Sequence, residues 1–190
     1  TLTAVSDANP VVPDLSFDLG LEGLLTEETL VSTSAVWRYL DTGMDLGTAW
    51  REKAYADAAW KSGPAPFGYG DGAEATVLLS NSAPTAYFRI TFALANPARY
   101  SSLKCRLLRD DAAVVYLNGA QIRRSNLAAI YNAGTLALSE IDGTNEAVYE
   151  AFTVPANLLQ ATNVVAVELH QFRNGDPDAH FAFELTAVVA

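Results

Sequence analysis

The sequence LLRDDAAVVYLNGAQIRR, residues 107–124, decides the fold, because two runs of alternating residues flank the dipeptide Asn118-Gly119. This dipeptide is the strongest short-range signal for a β-hairpin, since a type I′ turn needs a positive φ at both central residues. A two-residue turn also fixes which side chains share one apolar face. The pairs predicted on that face are Leu117 with Ala120 and Val115 with Ile122. We therefore predict that the hairpin lies at the centre of a β-sandwich.

Other strands are predicted where apolar and polar residues alternate, or where a short apolar run is bounded by turn residues. They cover residues 15–21, 36–40, 76–80, 86–94, 103–108, 147–154, 164–171 and 181–189. About nine short strands with almost no helix are typical of an all-β, two-sheet β-sandwich with jelly-roll topology. Candidate helical turns remain at residues 26–29 and 55–60, within regions that are otherwise irregular. The prolines of residues 63–66 exclude a central strand there.

The chain is predicted to form one domain. Residues 1–13 are polar, contain two prolines and are expected to be a linker or an extended lead-in, followed by a single β-sandwich domain over residues 14–190. The chain starts at Thr1 without a signal-peptide pattern, so we expect a mature or excised piece of a longer protein.

Composition narrows the function. Half of the 190 residues are hydrophobic and 18% are charged, so a buried core can form, and no apolar run is long enough to cross a bilayer. A net charge of -10 argues against nucleic-acid binding, which requires a basic surface. It suits a secreted or cell-surface protein that faces neutral ligands or holds Ca²⁺ on carboxylates, although solubility alone would also explain it. The one cysteine, Cys105, is in phase with neighbouring leucines and is predicted to be a buried structural thiol.

Several short segments carry a family resemblance. They are WRYLD (37–41), GTAW (47–50), AAWKSG (58–63), FGYGD (67–71), YFR (87–89), DDAAVVYLNG (110–119) and NVVAVE (163–168). In this order they resemble galactose-binding-like jelly-roll modules of secreted bacterial proteins, and they are similar to the sugar-binding domain of family 2 glycoside hydrolases. The resemblance implies a non-catalytic accessory module that is extracellular or on the cell surface. It also implies a covalently linked catalytic or anchoring domain.

The pair Asp110-Asp111 carries a second resemblance. It is similar to the aspartate pair with which PA14-type lectins hold Ca²⁺ for sugar binding, with Ala112 in this chain where those lectins usually have glycine. This implies one structural Ca²⁺ held by Asp110 and Asp111. The alternative is that the pair makes an Asx-type turn before the next strand. Asp41, Asp45 and Asp71 are further loop carboxylates that could contribute oxygens.

Aromatic and polar side chains in predicted loops are the candidates for a glycan site. Sugar rings stack on flat aromatic faces, and a few placed polar groups orient them. The aromatic candidates are Trp50, Tyr69 and Tyr131, whereas Trp37 and Trp60 are expected to plug the ends of the sandwich. For the three candidates, plugging the sandwich remains the alternative.

A polar group near the carboxyl-terminal strands completes the candidate ligand-binding set. Its members are His170, Arg173, Asp176 and His180, with Asn174 and Asp178 beside them. Both histidines are predicted to point away from the core, and a hairpin register that pairs them would place them face to face. Such a pair could bind Zn²⁺, contact a ligand hydroxyl or simply form a polar surface.

Catalytic signatures are missing from the sequence. There is no G-x-S-x-G, P-loop, H-E-x-x-H or G-x-G-x-x-G motif. The preferred function is therefore a carbohydrate-binding accessory module whose partner is a polysaccharide or glycan. The alternative is a structural or protein-interaction module that spaces or anchors a catalytic domain. A stand-alone hydrolase with two converging acids is a third hypothesis.

Overall fold

The computed structural model describes residues 26–79 and 83–190, and these residues form an all-β sandwich. The predicted linker (1–13), the predicted strand at 15–21 and the end of the predicted strand at 76–80 lie outside the described residues. The twelve described strands are β1 (Glu27–Val31), β2 (Val36–Leu40), β3 (Lys61–Pro64), β4 (Phe67–Tyr69), β5 (Thr76–Val77), β6 (Thr85–Ala93), β7 (Tyr100–Asp110), β8 (Ala112–Leu117), β9 (Ala120–Ser125), β10 (Glu150–Pro155), β11 (Thr162–His170) and β12 (Ala179–Val189).

The strands form two six-stranded sheets. The first sheet has the order β10-β7-β12-β4-β5, with β1 also paired to β12, and the second has the order β3-β2-β6-β11-β8-β9. All pairs are antiparallel except β4 with β5. The core lies between the sheets, where the rings of Phe88 and Phe181 meet with centroids 4.2 Å apart. The inward-facing apolar residues of the two sheets are therefore buried against each other, which confirms the predicted two-sheet sandwich.

The hairpin forms at the predicted turn but not with the predicted register. Asn118 and Gly119 have φ values of 53° and 84°, and Leu117 pairs with Ala120. The register then shifts, so Val115 pairs with Arg123, and the predicted pairing of Val115 with Ile122 is wrong. A β-bulge of this kind adds one residue to one strand. The prediction that the hairpin lies at the centre of the sandwich is also wrong, because its second strand, β9, is an edge strand of the second sheet.

Three short strands lie where the sequence gives a weak signal. Residues 26–29 do not form a helical turn, because Glu27–Val31 pairs with β12 as strand β1. Strands β3 and β4 form inside the predicted irregular region, and β3 ends at Pro64 on the sheet edge, as the proline rule requires. The short 3-10 helices are Ala49–Arg51, Pro97–Arg99, Gly143–Asn145 and Ala156–Leu158.

The outer face of the second sheet is covered rather than open to solvent. A second apolar cluster packs there beneath the segments around residues 46–60 and 127–137, and it includes the buried residues Trp50, Trp60 and Tyr87. The sandwich therefore has a third, irregular layer on this side. No helix in residues 26–79 or 83–190 combines the length and the hydrophobicity that crossing a membrane requires.

Candidate functional site

Three loops meet at one end of the first sheet and bring acidic side chains together. They connect β4 to β5 (residues 70–75), β9 to β10 (126–149) and β11 to β12 (171–178). The set is Asp71, Glu146 and Asp178, with Asp110 and His180 beside them, and we name these five residues the acidic edge. Register explains their proximity, because His180 of β12 lies directly opposite Asp110 of β7 on one side and Gly68 of β4 on the other.

The three loop carboxylates are close enough to share one ion. One oxygen from each of Asp71, Glu146 and Asp178 lies within 4.8 Å of the others. Burial raises the pKa of Glu146, and the charges of Asp178 and Asp71 raise it further. Burial likewise raises the pKa of Asp178, with Asp71 as the largest charge contribution. These carboxylates repel one another, so a proton or a cation would stabilise the cluster.

Asp110 lies behind this group and is almost completely buried. Its side chain is 1% exposed, and its Oδ2 atom has no hydrogen-bond partner among the described residues. Burial is the largest cause that raises the pKa of Asp110 to about 9, followed by the charge of Asp111, with Asp178 and Glu146 adding to the shift. An unpaired buried carboxylate oxygen is costly, because it has lost water without gaining a donor.

Asp111 has a different role, although it is the neighbour of Asp110. Its Oδ1 accepts the backbone N–H of Ile141 at 2.6 Å, and its Oδ2 accepts the backbone N–H of Phe172 at 2.7 Å. Both oxygens are therefore occupied by two of the three loops that form the acidic edge. Asp111 positions these loops, so the structure does not place it as a metal ligand with a free oxygen.

The predicted ligand residues Tyr69, Arg173 and Asp176 lie at the same end. The hydroxyl of Tyr69 donates to the carbonyl oxygen of Asp176 at 3.3 Å and accepts from Nε2 of Gln171 at 3.1 Å. Arg173 is exposed and pairs with Glu140 at 2.8 Å and with the buried Asp176 at 3.2 Å. His180 contributes a ring nitrogen, Nδ1, 3.4 Å from Oδ2 of Asp71. Six of the nine predicted site residues are thus brought together.

The other three predicted residues, Trp50, Tyr131 and His170, lie on the outer face of the second sheet. The ring of Trp50 is fully buried against Tyr87 and Tyr116, so it has no face open to a sugar. Tyr131 is partly exposed at the rim of this cluster. They do not form a site with the acidic edge.

The predicted facing of His170 and His180 is wrong. The strands that carry them, β11 and β12, belong to different sheets, so no hairpin register joins the two residues. His170 does point away from the core, but loops cover it completely, and its Nδ1 atom lies 2.8 Å from the carbonyl oxygen of Thr135. The Zn²⁺ pair built on that register is therefore not present.

A buried polar network around Glu168 was not identified from the sequence. Oε1 of Glu168 accepts the hydroxyl of Tyr116 at 2.5 Å and pairs with Arg51 at 3.3 Å, while Oε2 lies 3.4 Å from Nε2 of His170. The guanidinium of Arg51 stacks over the ring of Tyr116 at 4.3 Å. The available signal was the acidic residue within the apolar run VVAVELH, since a buried charge needs partners.

Glu146 was also missed, and no spacing in the sequence could have identified it. Asp71, Glu146 and Asp178 come from three separate loops, so only the sheet topology brings them together. The sequence places Asp71 among the loop carboxylates and Asp178 in the polar group near the carboxyl-terminal strands.

The fold and the site define the class of protein: a largely antiparallel β-sandwich domain whose loops form an acidic edge. Solved structures with the same fold include a beta-glucuronidase from Bacteroides uniformis, with a TM-score of 0.55 and 16% sequence identity. The match covers 86% of this chain and 18% of that enzyme. No family model matches the chain, and no curated protein matches it.

Two further structures give the same result. A beta-glucuronidase from glycoside hydrolase family 2 has a TM-score of 0.54 and 14% identity, with 85% of this chain and 18% of that chain covered. A beta-glucuronidase from Ruminococcus gnavus has a TM-score of 0.50 and 13% identity, with 86% of this chain and 29% of that chain covered. The chain therefore has the fold of one domain of these enzymes and spans less than a third of their length.

Proposed function

We propose that this chain is a non-catalytic carbohydrate-binding accessory domain of a larger secreted protein. The observation that carries the proposal is the fold match, which uses 86% of this chain but only 18% of a beta-glucuronidase from Bacteroides uniformis. A sandwich that corresponds to a small part of a glycosidase is expected to act beside a catalytic domain rather than to replace it. Its partners are then a glycan and the linked catalytic or anchoring domain.

The acidic edge and its neighbours form the proposed glycan surface. Arg173 is exposed, while Tyr69 and His180 are partly exposed, and these three side chains offer donors, acceptors and one aromatic face. The buried Asp176 holds Arg173 in place through an ion pair of 3.2 Å. Sugar hydroxyls are bound by polar groups fixed in this way, with an aromatic ring beside them. One structural Ca²⁺ at the same edge is part of the proposal.

The alternative function is a structural or protein-interaction domain, and one surface feature favours it. The connection between β9 and β10 exposes apolar side chains, including Ile130 at 93%, Leu138 at 66% and Val148 at 62% exposure. Exposed apolar patches mark surfaces that contact other proteins, and these three side chains come from one connecting segment. This function would need no glycan.

Isothermal titration against a broad panel of soluble glycans and polysaccharides tests the proposal. Arg173→Ala should weaken any binding detected by at least about tenfold, because a charge-assisted hydrogen bond contributes about 1.5–3 kcal/mol. Lys53→Ala is the matched control, since this exposed lysine bonds to Gln160 at the hairpin end of the molecule. If the wild type releases or absorbs heat on binding a glycan and Arg173→Ala does not, the result supports the proposed glycan surface. The absence of heat across the panel would reject carbohydrate binding and favour the interaction domain.

A further inference from the structure

We propose that the acidic edge is a Ca²⁺ site whose protein ligands are Asp71, Glu146 and Asp178. This set differs from the pair Asp110-Asp111 that the sequence suggests. The site does not depend on glycan binding, because its ligands are arranged by the loops of this chain alone. It deepens the proposed function by naming the residues that hold the structural Ca²⁺ proposed there.

The spacing of the three carboxylates fits a Ca²⁺ ion. Ca²⁺ binds oxygen at about 2.3–2.6 Å, so two ligand oxygens on opposite sides of the ion lie about 4.6–5.2 Å apart. The oxygens of Asp71, Glu146 and Asp178 lie within 4.8 Å of one another, which places all three within reach of one ion. Mg²⁺ demands a strict octahedron and is usually held by only one or two carboxylates, so a set of three protein carboxylates favours Ca²⁺. Water and backbone oxygens of the loops complete the shell.

The buried carboxylate of Asp110 is a second, independent observation that points to a ligand. Asp110 and His180 are directly opposite in β7 and β12, so their side chains lie on the same face of the sheet. Asp178 precedes His180 by two residues, in the loop that enters β12. Asp110 is 1% exposed and its Oδ2 has no partner among the described residues. A buried carboxyl oxygen that has no hydrogen-bond donor and lies beside three carboxylates is explained by a cation between them.

Charge balance leads to the same conclusion. Within residues 26–79 and 83–190, no lysine or arginine pairs with Asp71, Glu146, Asp178 or Asp110. The nearby guanidinium of Arg173 pairs with Glu140 and Asp176 instead. Among the described residues, two basic groups lie near the cluster: His180, 3.4 Å from Asp71, and Arg109, whose guanidinium pairs with Glu150 instead. A divalent ion supplies the missing positive charge.

Calorimetric titration of CaCl₂ into the chelator-treated chain tests the site. We expect one ion per chain with a dissociation constant at or below about 10⁻³ M, the range of extracellular modules. Asp178→Asn and Glu146→Gln should each weaken Ca²⁺ binding at least about tenfold, because each removes one anionic ligand. Asp142→Asn is the matched control: it makes the same charge change in the same loop but lies outside the set of three, so its effect should stay below about twofold.

The outcomes separate the ion site from general acidity and from the glycan function. Equal loss of Ca²⁺ binding in Asp178→Asn and Asp142→Asn would reject the assigned ligands and indicate diffuse electrostatic attraction. No heat and no rise in melting temperature at about 10 mM CaCl₂, ten times the weakest expected dissociation constant, would reject the site. Circular dichroism verifies that Glu146→Gln and Asp178→Asn are both folded. Glycan titrations with and without CaCl₂ then show whether glycan binding requires Ca²⁺, so that loss of one kind of binding can be distinguished from loss of the other.

Discussion

The hydroxyl of Tyr116 donates a hydrogen bond of 2.5 Å to Oε1 of Glu168, across the neighbouring strands β8 and β11 and beneath the loops of the second sheet. Arg51 pairs with the same carboxylate oxygen, and burial together with the charge of Glu168 raises the pKa of Tyr116. This network connects the loop around residue 51 to the centre of the sheet. It stabilises the irregular layer, not the acidic edge.

Removing this hydroxyl should therefore lower stability. Tyr116→Phe leaves Glu168 with one donor fewer in a buried position, and we expect a loss of about 1–3 kcal/mol in the free energy of unfolding. Tyr149→Phe is the control, because Tyr149 is partly exposed and stacks on Arg106 through its ring, which the substitution keeps. Urea unfolding followed by tryptophan fluorescence measures both variants. Equal midpoints for Tyr116→Phe and wild type would contradict the role assigned to the hydroxyl.

Asp111 should be needed for folding of the loop end even in the absence of any ion. Asp111→Ala removes the acceptor for the N–H groups of Ile141 and Phe172, and we expect a loss of about 2–5 kcal/mol. The control Asp142→Ala removes an exposed carboxylate from the same region and should change stability by less than about 0.5 kcal/mol. Hydrogen exchange of residues 138–145 and 171–176 should accelerate in Asp111→Ala alone. Unchanged exchange in these segments would show that the loops are held by other contacts.

Gly70 should be required for the position of Asp178. A Cβ atom at Gly70 would lie 2.7 Å from both Cβ of Asp178 and the carbonyl oxygen of Pro177. Gly72 has a similar positive φ of 76° but open space around it, so Gly72→Ala carries the backbone strain without the collision. We expect Gly70→Ala to be less stable than Gly72→Ala by about 1–3 kcal/mol in urea unfolding. Equal unfolding midpoints would show that the loop shifts freely around the added methyl group.

The thiol of Cys105 should stay protonated and unreactive in the folded chain. Burial raises its pKa to about 12, while the unfolded thiol ionises near pH 8.5. Between these values the folded state keeps a proton that the unfolded state has lost, so the free energy of unfolding falls as pH rises through this window. A chromogenic disulfide reagent at pH 8 should react only after denaturant is added. Rapid reaction of the native chain would mean that Cys105 is accessible.

The long strands could be predicted from the sequence, because their alternation is set by burial on one or both faces. The β6 segment is an example: Phe88 points into the core between the sheets, and Tyr87 points to the outer cluster, as the alternation predicts. Strand β1 could not be predicted in this way, since its sequence EETLV has no apolar alternation. It forms because strand β12 offers it hydrogen bonds across more than 150 residues of sequence.

The candidate site was harder to predict for a physical reason. Local sequence shows which side chains leave a strand on its polar side, but it does not show whether a distant loop covers them. His170 points away from the core as expected and is nevertheless buried, because the segment around Thr135 lies over it. The assignment of β11 and β12 to different sheets likewise depends on the whole topology, and it separates His170 from His180.

The hairpin turn has a consequence for engineering the domain. The side chain of Asn118 donates to the carbonyl oxygen of Leu158 at 2.8 Å and accepts the backbone N–H of Val164 at 2.9 Å, so it fastens the tip to the neighbouring strand. Tips of two-residue hairpins are usual sites for inserting a tag or a fused protein. In this molecule an insertion at Asn118-Gly119 would also remove the hydrogen bonds that hold the start of strand β11, so we expect this turn not to tolerate such insertions.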